Sequence, residues 1–220
     1  MDYAAFIIST VALLIYFYKQ DVNKEPFKRL AEAFLLGVAL SLQVNYFQQL
    51  LPRMPSIFFT AFISAALIEE GIKLITLRLT LFRNPDFKEK VDGITYAVFL
   101  GLGFATVENL IWITNFEIGL VRAFTATPAH ALFGVVMGYY LGRYKFEKDN
   151  QKLLYQAFWV PTLLHGLYNL LILTGQIWGV IFFIPYVAYL WVRGIKKLDK
   201  LNKKARGRIG RKNDKLDQQK

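Results

Sequence analysis

Seven long apolar blocks joined by short polar segments constrain this chain more than any other feature. A helix needs about 20 mostly apolar residues to cross a bilayer, because each residue adds about 1.5 Å of length. The blocks cover residues 3–18, 30–51, 57–77, 93–113, 123–141, 153–173 and 177–192. Hydrophobic residues make up 55% of the chain, against about 45–50% in soluble domains. The sequence predicts an all-α, polytopic membrane helix bundle with about seven transmembrane helices, a multi-pass protein of the cell membrane.

Lys and Arg alternate between the loops, and this alternation predicts an orientation. The first, third and fifth loops are rich in them and the tail carries twelve, whereas the second, fourth and sixth loops carry one or none. Cytoplasmic loops of membrane proteins are enriched in these residues. We therefore expect the N-terminus outside and the C-terminus in the cytoplasm. Residues 1–192 form the predicted transmembrane domain, and residues 193–220 a flexible basic tail attracted to the lipid bilayer.

Charge and cysteine content exclude several kinds of function. The formal net charge is +11, which in a membrane protein reflects cytoplasmic Lys and Arg, so no nucleic-acid partner is expected. The chain has no cysteine, which rules out disulfides, a thiol nucleophile and a Cys-ligated metal.

Ionisable and amide side chains lie inside four successive predicted spans. Placing an ionisable group at membrane depth costs at least about 2.5–3.5 kcal/mol, so each such residue is a functional candidate. The set, in chain order, is Glu69, Glu70, Lys73, Glu108, Asn109, Arg122, His130, His165 and Asn169. A packing role for all of them is disfavoured because acids and histidines recur at overlapping depth.

Spacing predicts that these side chains face one interior. Glu69 and Lys73 are four residues apart, as are His165 and Asn169, so each pair shares a helix face. On the fifth predicted span, Arg122 and His130 lie on a stripe that continues with Gly134, Gly138 and Gly142. Small residues allow membrane helices to approach closely. We therefore expect one shared cavity, open toward the outside.

The candidate residues carry the chemistry of water activation. A buried carboxylate can accept a proton from water, and a histidine or an amide can stabilise the oxyanion that forms when water attacks a carbonyl. Two histidines and one glutamate can also bind zinc and leave a position open, which makes Glu108, His130 and His165 the candidate ligands of a divalent metal. The chain has no H-E-x-x-H motif, so the sequence leaves metal dependence open.

Two motifs resemble those of the PrsW intramembrane proteases. Residues 69–73, Glu-Glu-Gly-Ile-Lys, resemble the E-E-x-x-K motif of that family. Phe104, followed four residues later by Glu108, is similar to its second motif. The family is related in turn to the CAAX prenyl-protease and bacteriocin-processing membrane proteases. In those proteins a histidine stands at the position of Glu108, so the identity of the base stays open.

The resemblance continues through the fifth and sixth predicted spans. Arg122 and His130 match the pattern of the family's fifth helix, and residues 165–169, His-Gly-Leu-Tyr-Asn, match its H-x-x-x-N motif. The motifs follow one another in the family's order. The resemblance implies an intramembrane endopeptidase in which either Glu69 or Glu70 activates water, with Glu108 and His165 as catalytic partners. It assigns supporting roles to Lys73, Asn109, Arg122, His130 and Asn169.

The resemblance also implies a substrate. It predicts first-site cleavage, on the extracytoplasmic side, of a single-pass anti-sigma factor that controls a stress response. Two other functions remain open from the residues. Intramembrane acids and histidines also build proton relays, which suits a proton- or cation-coupled transporter. A non-catalytic scaffold would tolerate apolar replacement of the whole polar set.

Overall fold

The computed structural model describes residues 3–51, 56–113, 116–147, 150–175 and 177–217, and all regular structure in these ranges is helical. This confirms the predicted all-α class. The α-helices are α1 Ala4–Gln20, α2 Phe27–Gln49, α3 Ile68–Leu79, α4 Asp92–Trp112, α5 Phe116–Phe124, α6 Ala126–Phe146, α7 Gln151–Leu173 and α8 Ile177–Asp217. A π-helical stretch, Phe59–Leu67, leads directly into α3.

The membrane character of the fold rests on its longest apolar helices. Within the described residues, three helical segments are long and apolar enough to cross a bilayer, namely Phe27–Gln49, Asp92–Trp112 and Glu117–Phe146. The last of these combines α5 and α6 across Thr125. Helix α1 is apolar but shorter. Large apolar side chains such as Ile8, Leu35 and Phe182 point outward, as expected of a surface that faces lipid. The total of seven spans and the orientation of the termini stay predictions.

Helix α4 lies at the centre of the bundle, between α2 and α6, and is buried along almost its whole length. Glycines bring the three helices together. A Cβ atom on Gly103 would overlap the Phe34 carbonyl oxygen of α2, and one on Gly138 would overlap the Gly93 carbonyl oxygen. The glycine stripe on α6 therefore packs against α4 at backbone distance, as its spacing predicted.

The fifth predicted span is interrupted in the structure. The sequence predicted one helix over residues 123–141, but the backbone leaves helical geometry at Thr125, and α6 begins only at Ala126. Pro128 lies in the first turn of α6, where its missing N–H leaves no helical hydrogen bond unmade. Arg122 therefore lies on α5 and His130 on α6, but both contact Glu108, as expected of side chains that face one interior.

Helix α8 continues beyond the last predicted span. That span ends at residue 192, whereas the helix runs to Asp217. Leu198 and Leu201 are buried against Phe17, Val91 and Tyr139, so the first turns after the span pack on the helix bundle. Residues 218–220 lie outside the described residues, and the flexibility of the tail stays a prediction.

Candidate active site

Helix α3 positions two glutamates and a lysine in the bundle interior. Glu69, Glu70 and Lys73 are buried, and the Lys73 Nζ atom lies 2.9 Å from Glu70 Oε1 and 3.4 Å from Glu69 Oε2. The same ammonium lies 3.9 Å from the centre of the Phe104 ring, a cation–π contact. The π-helical stretch just before α3 changes the helical register, a feature often found at functional sites. The predicted Glu–Lys pairing on one helix face is confirmed.

His130 connects α3 to α4. Its Nδ1 atom lies 3.3 Å from Lys73 Nζ, and its Nε2 atom lies 2.6 Å from Glu108 Oε2. An ammonium only donates hydrogen bonds, so Nδ1 accepts and Nε2 carries the proton donated to Glu108. This arrangement identifies His130 as a neutral imidazole that bridges the lysine and the second-motif glutamate.

Glu108 is fixed by a chain of polar contacts to α5 and α6. Arg122 Nη2 lies 3.1 Å from Glu108 Oε1, and Arg122 Nε donates to Asn109 Oδ1 at 2.6 Å. Asn109 in turn donates to Thr127 Oγ1 at 2.8 Å. Arg122 and Asn109 therefore hold the Glu108 carboxylate against His130, which gives both a supporting position.

His165 is held by a carboxylate on one side and an aromatic ring on the other. Its Nδ1 atom lies 2.9 Å from Glu70 Oε1, and its ring stacks on Phe133 with 4.8 Å between ring centres. The His130 ring is 5.3 Å away in an edge-on arrangement. Asn169 lines the adjoining cavity without joining these hydrogen bonds.

The two histidines combine with Glu69 as a candidate metal site. Metal-binding atoms of Glu69, His130 and His165 all lie within 4.8 Å of one another, and all three residues are buried. The sequence had offered Glu108 as the acidic member of this set. Glu108 accepts hydrogen bonds from Arg122 and His130 at 3.1 and 2.6 Å, whereas the contacts of Glu69 with Lys73 and Gln48 are longer, at 3.4 Å. Glu69 is therefore the more accessible acid beside the histidines, and a ligand role for Glu108 stays a prediction.

The donor set and its hydrogen bonds suit a zinc-type ion. Two histidines and one glutamate form a known catalytic zinc set with one open position. A histidine that binds a metal almost always donates a hydrogen bond from its second ring nitrogen to a carboxylate, a carbonyl group or water. Here Glu70 engages Nδ1 of His165, which leaves its Nε2 for an ion, and Glu108 engages Nε2 of His130. An ion bound at Nδ1 of His130 would take the place of the Lys73 contact at 3.3 Å. The residues therefore fit a divalent metal, with Lys73 as its nearest competing cation.

The cluster lines a cavity of about 280 Å³. Its walls include Glu69, Glu108, His130 and His165, which confirms the prediction of one shared cavity for these residues. It extends to the ends of α4 and α7, where Trp112 and Leu173 line it and are exposed. Glu70 does not line the cavity. A substrate that enters from that end meets Glu69 before Glu70.

Some contributors to the site were not singled out from the sequence. Gln48 of α2 donates to the Ser64 carbonyl oxygen at 2.9 Å and lies 3.4 Å from Glu69 Oε1. An amide side chain inside an apolar span could have marked Gln48 as a candidate, because polar groups at that depth raise the free energy of membrane insertion. Thr127 and Phe133 carry no comparable signal, since threonine and phenylalanine are ordinary residues of membrane helices.

The amino-acid sequence of the chain matches a known protein family. The family model "PrsW family intramembrane metalloprotease" matches residues 25–191. The chain is 35% identical over 214 residues to Protease PrsW of Clostridioides difficile (strain 630), across 89% of this chain and 90% of that protein. It is 34% identical over 205 residues to Protease PrsW of Bacillus subtilis (strain 168), across 90% and 94% of the two chains. No solved structure gives a significant match.

Proposed function

Because the chain belongs to the PrsW family of intramembrane metalloproteases, we propose that the group of Glu69, His130 and His165 is where it hydrolyses a membrane-anchored protein. Family membership makes the chain a peptidase and a multi-pass protein of the cell membrane, which decides against the transporter and the scaffold. The observation that carries the proposal is the convergence of these three buried residues on the wall of one cavity.

In this proposal Glu69, His130 and His165 hold a divalent metal. A metal bound there would polarise the scissile carbonyl group and promote the ionisation of water. Glu70 and Glu108 orient the two imidazoles through the hydrogen bonds at 2.9 and 2.6 Å. Lys73 balances the charge of the paired glutamates, since its ammonium contacts both.

Glu69 is the better placed of the two paired glutamates for proton transfer. It lines the cavity, whereas Glu70 lies behind it and is engaged by Lys73 and His165. A carboxylate has two oxygens, so Glu69 can bind a metal through one and accept a proton from water through the other. The oxygen of that water adds to the scissile carbonyl carbon. The carbon–nitrogen bond then breaks, and Glu69 returns the proton to the leaving amine.

Asn169 is the candidate donor for the oxyanion. Its amide lies on the cavity wall one helical turn after His165, and a fixed N–H donor stabilises the negative charge that develops on the carbonyl oxygen. The substrate we propose is a single-pass membrane protein, and specifically an anti-sigma factor cut on its extracytoplasmic side. The extension of the cavity to the bundle end predicted to lie outside supports this choice.

The test is cleavage of a single-pass anti-sigma factor by the purified protein in liposomes. We expect Glu69→Gln to lower kcat/KM by about 10²–10⁴-fold, the usual contribution of a proton-transfer group. His165→Asn should also lower kcat/KM, because it removes a proposed metal ligand. Glu117→Gln, which changes an exposed glutamate near the same bundle end, serves as the matched control. If both site variants cleave like the wild type while folded, the assignment of the site fails.

A second arm tests the metal. Treatment with a chelator should abolish cleavage, and one divalent metal should restore it in the wild type but not in His165→Asn. Activity that survives exhaustive chelation, in protein shown by elemental analysis to contain no metal, would overturn the metal role.

A further inference from the structure

A second cluster of buried acids lies at the opposite end of α4 from the active site. Asp21 follows α1, Glu25 precedes α2, and Asp92 is the first residue of α4. Their exposures are only 2%, 7% and 1%, and one carboxylate oxygen from each lies within 4.8 Å of the others. Asp92 and Glu108 lie on the same helix, about 24 Å apart by its rise per residue, so the two clusters are separate.

Neutral groups supply most hydrogen bonds of this cluster, and the Glu25 and Asp92 carboxyl groups also lie within hydrogen-bond reach of each other. The Thr95 hydroxyl donates to Asp21 Oδ2 at 3.0 Å, and the Tyr96 hydroxyl donates to Glu25 Oε2. The backbone N–H groups of residues 88 and 89 donate to Asp92 Oδ2 at 2.6 and 2.7 Å. These donors fix the carboxylates in place, but none of them carries a positive charge.

No ion pair recorded among the described residues includes Asp21, Glu25 or Asp92. The nearest lysine in sequence, Lys24, donates to backbone carbonyl oxygens, including that of Asp21 at 2.6 Å, and its side chain is exposed. Burial raises the pKa of the Asp21 and Glu25 carboxyl groups, as expected where charge is poorly balanced. A buried charge is costly unless it is paired or binds a metal.

Asp92 supplies an independent sign of a missing ligand. Its Oδ1 atom is buried and receives no hydrogen bond, although Oδ2 receives two. Buried acceptors that lack a partner are rare in proteins and call for an explanation such as an ion. A cation beside Oδ1 would satisfy this oxygen and balance the neighbouring carboxylates together.

We propose that Asp21, Glu25 and Asp92 bind one hard divalent cation, Mg²⁺ or Ca²⁺, which ties the loop between α1 and α2 to the start of α4. Both ions prefer oxygen ligands such as carboxylates and water, and the cluster offers only oxygens. The active-site group contains two imidazoles and suits a zinc-type ion instead. The cation stabilises the fold at the end of α4 remote from the chemistry.

The experiment uses the full chain in detergent micelles, freed of metals and titrated separately with Mg²⁺ and Ca²⁺. We expect saturable binding of one equivalent by calorimetry and a melting temperature that rises with cation concentration. Asp92→Asn should weaken the affinity by at least about tenfold, since affinity follows the number of charged ligands. Asp199→Asn, at an exposed position of α8, should bind like the wild type, as should His165→Asn, which alters only the other site.

Three outcomes would overturn the proposal. In the first, neither ion binds. In the second, binding is unchanged in Asp92→Asn, which would show that the ion binds elsewhere on the surface. In the third, the melting temperature ignores both cations and rises as the pH falls toward 5, which would show that Glu25 and Asp92 share a proton in place of an ion. Glu25→Gln provides a second variant if Asp92→Asn does not fold.

Discussion

The two ends of helix α4 bury carboxylates in different ways. At its C-terminal end, Glu108 and the α3 glutamates lie among positively charged side chains, with Lys73 and Arg122 in direct contact. At its N-terminal end, Asp21, Glu25 and Asp92 accept hydrogen bonds from hydroxyl and backbone groups, and Glu25 and Asp92 also lie within hydrogen-bond reach of each other. Lys24 and Lys145 act on this cluster electrostatically but form no ion pair with it among the described residues.

The difference separates a site balanced by the protein from one that needs an added ion. A protein-borne cation such as Lys73 is always present, so the glutamates beside it need no added ion to balance their charge. A site made of acids alone is balanced only when a cation or a proton arrives, which makes its stability depend on the solution. The same helix thus carries a permanent charge network at one end and a conditional one at the other.

The largest effect on stability should follow from removing the lysine at the active site. In Lys73→Met, Glu69 and Glu70 stay buried without their cation, and breaking a buried pair from one side costs about 3–5 kcal/mol. For a chain of this length, that corresponds to a fall in melting temperature on the order of 10 °C. Thermal unfolding in detergent micelles measures it.

Lys152→Met is the control, because that lysine is exposed at the start of α7 and its replacement should change stability little. If Lys73→Met melts with the wild type, then the ammonium does not balance the glutamates, and the contrast between the two ends of α4 fails. Added Mg²⁺ should raise the melting temperature of the variant as it does that of the wild type, because the remote acids are unchanged.

Much of the active site could be predicted because its residues are individually conspicuous. Glu69, His130 and His165 are ionisable groups in apolar spans, where each raises the free energy of membrane insertion and is therefore a functional candidate. Helical spacing correctly joined Lys73 to the glutamates of its own helix. Spacing does not determine how neighbouring helices are rotated against each other. The choice of Glu69 over Glu108 beside the histidines therefore required the packed structure.

The acidic cluster had no such signal. Asp21, Glu25 and Asp92 lie at helix ends and in a loop, where carboxylates are common and usually exposed. Their burial results from contacts between distant parts of the chain, since Asp21 and its donor Thr95 are 74 residues apart. The break at Thr125 was missed for a related reason, because the apolar pattern continues on both sides of a single non-helical residue.

A moderate effect should follow from filling the glycine contact near the acidic end. Gly138→Ala would place a methyl group against the Gly93 carbonyl oxygen and close to Ile94. Overpacking of this kind costs about 1–3 kcal/mol, here by moving the first turn of α4. We expect thermal unfolding at lower temperature and weaker Mg²⁺ binding, because Gly93 follows Asp92. Gly207→Ala is the control, because a Cβ atom there would have no neighbouring atom within 4 Å. Equal stability of the two variants would contradict the close packing of α6 against α4 at Gly138.

The smallest effect should come from Glu147, a cation-paired carboxylate that lies just after α6 and is partly exposed. Hydrogen bonds from Arg143 and Lys90 lower the pKa of Glu147 from 4.5 to about 2. Its stabilisation is therefore complete above pH 4.5 and is lost as the pH falls toward 2. Water screens the pair, so Glu147→Gln should lower the unfolding free energy by less than about 1 kcal/mol at neutral pH. Melting temperatures of the variant and the wild type should converge near pH 2.

If the difference between the two melting temperatures does not change with pH, the pairing contributes nothing to stability. A loss of stability as large as that of Lys73→Met would show that burial does not set the size of these effects.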